Sequence, residues 1–155
     1  GFIKKQLSEL LTYYGDIDLI WCDQYSNPYT AAHWPEIKAH IKSLQPRCLV
    51  LGNNARDPAE SDILGYEFPW KPVLPPENNT VPSEVCDTIQ KGPWFWHPGR
   101  RADQLQTAEE IVKMIRLCNS RRANYLLNVP PDRDGLIPDL YVERLREVGR
   151  ILEAQ

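Results

Sequence analysis

Apolar and polar residues follow two rhythms along this chain, one typical of helices and the other of buried strands. Between residues 2 and 13, apolar side chains recur three and four positions apart, which predicts an amphipathic helix that Gly15 ends. The apolar run over residues 17–21 is too short for a helix and does not alternate with polar residues. It predicts a strand of a parallel sheet that is covered on both faces.

The same two rhythms continue to the end of the chain. Trp34-Pro35 marks the start of a second helix, and Thr107 with Glu110 forms a capping box at the start of a third. Because strands that alternate with helices are typically parallel and joined by right-handed crossovers, the pattern predicts an α/β fold. The further predicted helices cover residues 36–44, 107–119 and 138–152, and the further predicted strands cover 48–51, 63–68, 85–89 and 124–129.

Length and composition narrow the class of protein. The chain has 155 residues, enough for a core, and we expect a single domain over residues 1–155. The net charge of −3 comes without a basic stripe, so no nucleic-acid partner is expected. No apolar run approaches the ~20 residues of a membrane span, and no signal peptide is visible, so no membrane association is expected.

The cysteines and histidines do not form a metal-binding pattern. Cysteines stand at positions 22, 48, 86 and 118, far apart and without a CxxC pair, which favours free thiols over disulfides or zinc. No pair of histidines or cysteines has the spacing of metal ligands. The sequence therefore predicts neither a metal nor another cofactor.

Residues 57–101 are dense in proline and contain Trp70, Trp94 and Trp96, three of the five tryptophans. A flexible linker would be rich in glycine, serine or charge, so this composition indicates an ordered region instead. Aromatic faces suit sugar rings, whose C–H edges pack against them as apolar surface. We therefore expect an active-site loop region here. The alternative for each tryptophan is that it packs beneath a long loop.

Two carboxylates are candidates for catalysis. Asp23 comes directly after the strand predicted over residues 17–21, and in barrels of strands and helices the carboxyl ends of the strands build the active site. Its alternative role is to cap the turn after the strand. Glu67 lies among Tyr66, Phe68 and Trp70, where we expect desolvation to favour the protonated form that a general acid requires.

Such a pair of carboxyl groups is what glycoside hydrolysis requires. One group donates a proton to the leaving oxygen, while the other attacks the anomeric carbon or activates a water. A separation of about 5 Å gives retention of configuration, and one of about 6.5–9.5 Å gives inversion.

Three segments resemble motifs of the glycoside hydrolase family 29 α-L-fucosidases, in the same order along the chain. Leu19-Ile20-Trp21-Cys22-Asp23 resembles the strand that carries the family's nucleophile. Residues 83–96 contain SEVCDTI followed by GPWFW, similar to the family's Trp-Glu-x-Cys-x-x-Ile block. Residues 124–138, NYLLNVPPDRDGLIP, resemble its signature Asn-Leu-Leu-Leu-Asn-Val-Gly-Pro-x-x-Asp-Gly-x-Ile-Pro, which is the most specific match.

The resemblance implies a retaining α-L-fucosidase, acting on fucosylated glycans or glycosides by double displacement. Asp23 falls on the nucleophile position and Glu67 on the usual acid/base position. Glu84 is the rival for the second role, and its alternative is to anchor the loop before Trp94. The resemblance also implies that Trp21, Arg56 and Trp94 contact the sugar, with a loop salt bridge as the alternative for the arginine. Trp96 is a further predicted contact, although it stands where the family commonly has a glycine-tyrosine pair.

The chain departs from the family chiefly in its length. The family's (β/α)₈ barrel needs roughly twice these residues, so we expect a partial, TIM-barrel-like fold corresponding to the carboxyl-terminal half. A half barrel leaves two open sheet edges, which favours a homo-oligomer or a partner chain that completes the barrel. The alternative function is an inactive or weakly active fragment that binds carbohydrate. The resemblance implies a secreted, periplasmic or lysosomal location.

Overall fold

A computed structural model describes residues 1–23, 27–69 and 71–154, so Trp70 lies outside the described residues. Helices and strands alternate over much of the chain, and this alternation confirms the predicted α/β class. The helices are α1 (Phe2–Tyr13), α2 (Pro28–Leu44), α3 (Ala108–Ser120) and α4 (Asp139–Glu153), with a short 3₁₀ helix at Ala102–Gln104. The strands are β1 (Leu19–Cys22), β2 (Leu49–Gly52), β3 (Leu64–Glu67), β4 (Ser83–Thr88) and β5 (Ala123–Asn128).

The chain divides into two compact units. The first consists of Gly1–Tyr66 with Val81–Ser83, and the second of Glu67–Thr80 with Glu84–Gln155. The single domain expected over residues 1–155 stays a prediction. Among the described residues, no helix is both long enough and apolar enough to cross a membrane.

The first unit is built on a parallel pair of strands. Strands β1 and β2 pair from Leu19 with Leu49 to Cys22 with Gly52. Ile20 and Val50 face α1 and α2 and share an apolar cluster with buried side chains of these helices. Side chains alternate between the two faces of a strand, so Trp21 and its partner Leu51 lie on the opposite face.

That opposite face is only partly covered. Leu19 and Trp21 are half-buried, and Leu49 is 42% exposed. Within β1 only Ile20 is buried, so the prediction of a strand covered on both faces is wrong. Helices α1 and α2 cover one face of this strand pair. An apolar run in the sequence predicts a strand, but it does not show whether the second face of that strand is covered.

Helix α2 begins at Pro28, eight residues before its predicted start. The carbonyl of Asn27 accepts the first intrahelical bond, from the Ala31 N–H at 2.8 Å. A proline at the first helical position loses no hydrogen bond, because that N–H has no partner in any helix. Pro35 therefore lies inside the helix rather than at its start. The buried indole of Trp34, which donates to the Glu60 carbonyl at 2.8 Å, helps to hold this turn in place.

Strands β3, β4 and β5 form a three-stranded sheet with β4 in the middle. The Leu64 N–H donates to the Pro82 carbonyl at 3.0 Å, and the Phe68 N–H donates to the Cys86 carbonyl at 2.9 Å. The bonded positions advance together along both strands, so β3 and β4 are parallel. The predicted strands at 63–68 and 85–89 are thereby confirmed, with slightly shifted bounds.

In the second unit, α3 and α4 pack on the sheet through a second apolar cluster that includes Ile89, Ile111 and Tyr141. The predicted capping box at the start of α3 is confirmed, since the Glu110 N–H donates to Thr107 Oγ1 at 3.2 Å and the Thr107 N–H to the Glu110 carboxylate at 2.7 Å. Residues 53–63, 68–69 and 71–82, which lead into β3 and β4, contain no helix. Helical crossovers therefore join β1 to β2 and β4 to β5, whereas the described residues of the other two connections are not helical.

Candidate functional site

In the first unit, two polar side chains meet where β1 and β2 end. Asp23 comes directly after β1 and is exposed, while Asn53 comes directly after β2 and is buried. The Asn53 side-chain amide donates to Asp23 Oδ1 at 3.2 Å, and the Asn53 backbone N–H donates to the Cys22 carbonyl at 2.9 Å. The second bond extends the parallel ladder past the last strand pair, and it fixes where the Asn53 amide lies relative to Asp23.

Arg56 lies three residues further on, after a turn in which Asn54 adopts a left-handed conformation with φ of 65°. Its guanidinium donates to the Gly65 carbonyl and lies over the Tyr66 ring, 3.8 Å from the ring centroid. Partial burial lowers the pKa of Arg56 below its ordinary value, but guanidinium groups stay protonated in proteins. Arg56 is thus a cation fixed to β3 by a carbonyl and an aromatic face.

Gly65 allows β3 to approach the end of β2 closely. A Cβ atom at this position would lie 3.1 Å from Leu51 Cδ2, 3.2 Å from the Asn54 nitrogen and 3.3 Å from the Gly52 carbonyl oxygen. A side chain there would have to displace backbone atoms. The residue therefore lets β3, at Gly65, lie close to the carboxyl end of β2.

In the second unit, the two candidate acids lie at opposite ends of their strands. Glu67 is the last residue of β3 and is half-buried, so it lies at a carboxyl end. Glu84 is the second residue of β4, is 8% exposed, and accepts a hydrogen bond from the Asn124 amide at 3.0 Å. Since Asn124 is also near the start of its strand, Glu84 belongs to the amino-terminal edge of this sheet.

Side chains that were not predicted from the sequence hold the loop over residues 92–97, which contains Trp94 and Trp96 and is called the tryptophan loop below. The Asn128 amide donates to the Trp94 carbonyl at 2.8 Å. The Gln90 amide donates to the carbonyls on either side, those of Pro93 at 2.8 Å and Phe95 at 3.1 Å. The Tyr141 hydroxyl in turn donates to Gln90 Oε1 at 3.0 Å. Asn128 stood inside a recognised motif, whereas nothing in the sequence indicated that Gln90 would be buried.

Trp94 and Trp96 differ in their surroundings. Both are half-buried, but Trp96 packs against the apolar cluster of the second unit, and the Arg133 guanidinium lies 5.9 Å from its ring centroid. For Trp96 the structure therefore shows the packing role that was the alternative for each tryptophan. Trp94 is held through its backbone.

Asp87 is a buried carboxylate that sequence reasoning also missed. It is 3% exposed and accepts hydrogen bonds from the Tyr125 hydroxyl at 2.7 Å, the Gln106 amide at 3.0 Å and the Thr88 N–H at 2.7 Å. Burial, together with the charge of Asp87, raises the pKa of Tyr125 well above its ordinary value. Through these hydrogen bonds Asp87 joins β4 and β5.

The cysteines are free thiols, as predicted. Burial, and secondarily Cys48, raises the pKa of Cys22 to about 11, and burial with the charge of Asp87 raises that of Cys118 to about 11. Both thiols are protonated near neutral pH and are poor nucleophiles. In residues 1–23, 27–69 and 71–154, no group of three or more histidine, cysteine or acidic side chains could hold a metal ion.

A cleft of about 550 Å³ in the second unit lies between α3 and residues 68–69 and 72–74. Its lining includes Phe68, Asp87, Lys113 and Met114 but none of the predicted site residues. Asp23 and Glu67 lie at the carboxyl ends of their strands, and Glu84 lies at the amino-terminal edge of its sheet. Trp94 and Trp96 lie in the tryptophan loop.

Parallel strands that alternate with helices, and polar side chains that meet where β1 and β2 end, define an α/β protein of the barrel class. The family model described as Alpha-L-fucosidase matches residues 1–155, and the chain belongs to this family. The family resemblance found in the sequence is thereby confirmed.

Solved structures give the same fold. An α-L-fucosidase isoenzyme of Paenibacillus thiaminolyticus is similar with a TM-score of 0.78 and 31% identity, over 99% of this chain and 38% of that one. An α-L-fucosidase of Lactobacillus casei, in complex with its α-L-fucose product, is similar in fold with a TM-score of 0.76 and 24% identity, over 97% of this chain and 44% of that one. These similarities in fold confirm the predicted partial barrel.

Plant relatives match most of the chain but not most of their own length. The putative α-L-fucosidase 1 of Oryza sativa is 28% identical over 94% of this chain and 32% of the relative. The α-L-fucosidase 1 of Arabidopsis thaliana is 26% identical over 97% of this chain and 34% of the relative. The chain thus spans about a third of the length of these relatives.

Proposed function

We propose that this protein is a retaining glycoside hydrolase that removes terminal α-L-fucose from glycans or glycosides, with Asp23 as its nucleophile. One observation carries the proposal. Asp23 is an exposed carboxylate directly after a parallel strand, and a buried amide holds one of its oxygens. This is the position at which barrel enzymes place catalytic groups.

Two displacements account for the reaction. An oxygen of Asp23 forms a bond to the anomeric carbon while the glycosidic C–O bond breaks, and the leaving oxygen takes a proton from the acid. Water then attacks the anomeric carbon, the ester bond to Asp23 breaks, and the same acid group, now ionised, takes the proton of the water. The sugar keeps its configuration because it is inverted twice.

Glu67 is the acid/base in this proposal. It is the last residue of β3, whereas Glu84 lies at the start of β4 and is already bonded to Asn124. Catalytic groups of barrel enzymes come from the carboxyl ends of strands, which supports Glu67 over its rival. The choice rests on the place of each residue within its own strand.

Trp21 and Arg56 are the proposed sugar contacts in the first unit. Trp21 lies on the face of β1 opposite the helices, and Asp23, two residues on, continues that face. Arg56 brings a fixed cation to the strand ends. Trp94 and Trp96 are proposed contacts in the second unit, where the packing of Trp96 makes it the weaker candidate.

Hydrolysis of an aryl α-L-fucoside by the full chain tests the proposal. We expect turnover with retention of configuration, followed by proton NMR of the first sugar anomer released, and loss of turnover in Asp23→Ala. Asp18→Asn is the matched control, since it removes an exposed carboxylate just before the same strand. Equal turnover in Asp23→Ala, or a product of inverted configuration, would overturn the proposal.

A second candidate function is that of a subunit or carbohydrate-binding fragment that needs another chain for turnover. Leu49 on β2 and Leu126 on β5 support it, because they are 42% and 40% exposed on strand faces that a closed barrel would cover. Under this candidate, the full chain binds fucose saturably without turnover. Turnover appears when a second copy associates or when the amino-terminal part of a related fucosidase is added.

A further inference from the structure

Asn53 makes hydrogen bonds to the last residue of β1 and to the residue that follows it. Its backbone N–H donates to the Cys22 carbonyl at 2.9 Å, and its side-chain amide donates to Asp23 Oδ1 at 3.2 Å. It is 6% exposed, whereas Asp23 is exposed to solvent. A buried, backbone-anchored donor therefore holds an exposed carboxylate.

The position of this donor is set by the fold. The register that pairs Cys22 with Gly52 places Asn53 one step beyond the last strand pair. The Ala55 N–H donates to the Gly52 carbonyl at 2.9 Å, which closes a tight turn around Asn53. Because the backbone is fixed on both sides of its Cα and the side chain is buried, the amide has little freedom to follow Asp23 if that carboxylate rotates. The carboxylate follows the amide instead.

We infer that Asn53 is a positioning residue for the reaction proposed above, holding Oδ1 of Asp23 so that Oδ2 attacks the anomeric carbon. This inference rests on the proposed role of Asp23 as nucleophile. An amide N–H suits the task because it donates one hydrogen bond and brings no charge. It limits rotation of the carboxylate without forming an ion pair that would compete with the developing bond.

Orientation of the nucleophile matters at the step in which the new bond forms. The Oδ2–C1 bond forms as the bond from C1 to the leaving group breaks, and the bonding pair leaves with that group. A misplacement of about 1 Å at a reacting atom costs on the order of a hundredfold in rate. Loss of the amide should therefore slow bond formation while substrate binding changes little, so kcat falls more than KM rises.

A purely structural role for Asn53 predicts a different result. Its backbone N–H contributes to the end of the β1–β2 ladder whatever its side chain is. If the side chain only completed the fold, its removal would lower the melting temperature without changing the chemistry of the folded molecules. The rate of the first chemical step therefore distinguishes the two roles, because only a positioning role predicts that it falls.

Covalent labelling measures that step alone. With 2-deoxy-2-fluoro-L-fucosyl fluoride, the Asp23 oxygen displaces fluoride from C1 and leaves a slowly hydrolysed ester that intact-protein mass spectrometry counts. We expect Asn53→Ala to take up the label on the order of ten- to a hundredfold more slowly than the wild type, on the same residue. Asn54→Gly is the control, because it alters the adjacent residue and glycine accepts its left-handed backbone.

Asn53→Asp keeps the shape of the side chain and serves if Asn53→Ala fails to fold. It places two carboxyl groups together, and like charges resist joint ionisation, so the acidic limb of the pH–rate profile should move to higher pH. Because that shift follows from the contact alone, the labelling rate of this variant decides between the two roles: a positioning role lowers it, and a merely structural role leaves it unchanged in the folded protein.

The outcomes distinguish this inference from the proposed function. A wild-type chain that takes up no label overturns the assignment of Asp23, and the role of Asn53 falls with it. A wild-type chain that is labelled on Asp23, with Asn53→Ala labelled at the same rate, overturns the role of Asn53 alone. An unmoved acidic limb in Asn53→Asp would also count against it.

Discussion

Each compact unit contains a carboxylate at a strand, Asp23 in the first and Asp87 in the second, and the surroundings of these two side chains are opposite. In the first, Asp23 is exposed at the end of β1 and its Oδ1 accepts a hydrogen bond from Asn53. In the second, Asp87 is 3% exposed and accepts hydrogen bonds from three groups on the same unit. Glu84 is similarly buried and bonded to Asn124. All three side chains carry a carboxyl group, and they differ in how deeply they are buried and in how many hydrogen bonds they are seen to accept.

This difference indicates which carboxylates are available for chemistry. A buried carboxylate whose oxygens already accept several hydrogen bonds stabilises the fold and has little capacity left for a substrate. An exposed one at the carboxyl end of a strand can react, provided that something orients it. Asp23 is exposed at the carboxyl end of its strand and is oriented by Asn53, so it meets both conditions. Glu67 lies at the carboxyl end of β3 and so meets the condition of position.

The largest expected effect tests the choice between the two glutamates. Glu67→Gln should lower kcat for a fucoside with a poor leaving group by roughly a hundred- to ten-thousandfold, because the leaving oxygen loses its proton donor. Activated aryl substrates should suffer less. Steady-state kinetics on both substrate classes would show this.

Glu84→Gln is the matched control for that variant. It makes the same chemical change at the amino-terminal edge of the sheet, and glutamine can still accept the hydrogen bond from Asn124. We expect its kcat to match the wild type. A large loss of kcat in Glu84→Gln, with Glu67→Gln unaffected, would reverse the assignment.

The buried network of the second unit can be broken at Tyr141. Tyr141→Phe leaves Gln90 Oε1 without the hydroxyl that donates to it, and burial of an unsatisfied acceptor costs about 1–3 kcal/mol in the free energy of unfolding. Tyr14→Phe, at a 75% exposed position, is the control. Urea denaturation measures both, and equal stability would show that the network contributes less than its burial indicates.

Gly65 tests how closely β3 approaches the end of β2. Gly65→Ala should destabilise the protein by about 1–3 kcal/mol, because the added methyl group meets Leu51 and the backbone of Gly52 and Asn54. Gly149→Ala is the control, since it adds a methyl group inside α4 with nothing within 4 Å. The control should be stabilising by roughly 0.5–1 kcal/mol. Thermal unfolding of both variants distinguishes crowding from helix propensity.

The smallest expected effect concerns Asp62, which joins α2 to β2 through Lys38 at 3.1 Å, Lys42 at 2.6 Å and the Val50 N–H at 3.0 Å. Burial raises the pKa of Asp62, but the bonds from Lys42, Val50 and Lys38 outweigh it, so the pKa lies below its ordinary value. The ionised form therefore stabilises the fold above the unfolded pKa of about 3.9.

Asp62→Asn should cost about 1 kcal/mol at neutral pH, since the group is partly exposed and the ion pairs are screened. The stabilisation is lost as the pH falls below about 4 and through the folded pKa, so the two proteins should converge in strong acid. Urea denaturation over a pH series measures the gap. A gap that stays constant down to pH 2 would contradict this account of Asp62.

Much of the fold could be predicted from periodicity. Helix α1 has its predicted bounds, and the capping box of α3 was visible as Thr107 and Glu110. The start of α2 was predicted too late because a Trp-Pro pair is typical of a helix start. Here Pro35 lies inside the helix, where the hydrogen bond from Trp34 to Glu60 helps to hold the turn. Local sequence does not report such tertiary support.

The candidate site was predictable only in part, for the same reason. Asp23 and Glu67 could be found because the end of a strand is visible in the sequence. Asn53 and Gln90 could not be assigned partners, because their contacts depend on strand register and on burial of a polar side chain. Trp96 stays a predicted sugar contact, and its packing against the apolar cluster of the second unit depends on the tertiary fold.

The central claim is that Asp23 is the nucleophile. Its most direct test is to digest the chain after inactivation with 2-deoxy-2-fluoro-L-fucosyl fluoride and to identify the labelled residue by tandem mass spectrometry. The account predicts one fluorofucosyl group, esterified to Asp23. A label on any other residue, or turnover of fucosides with no label on Asp23, would contradict it.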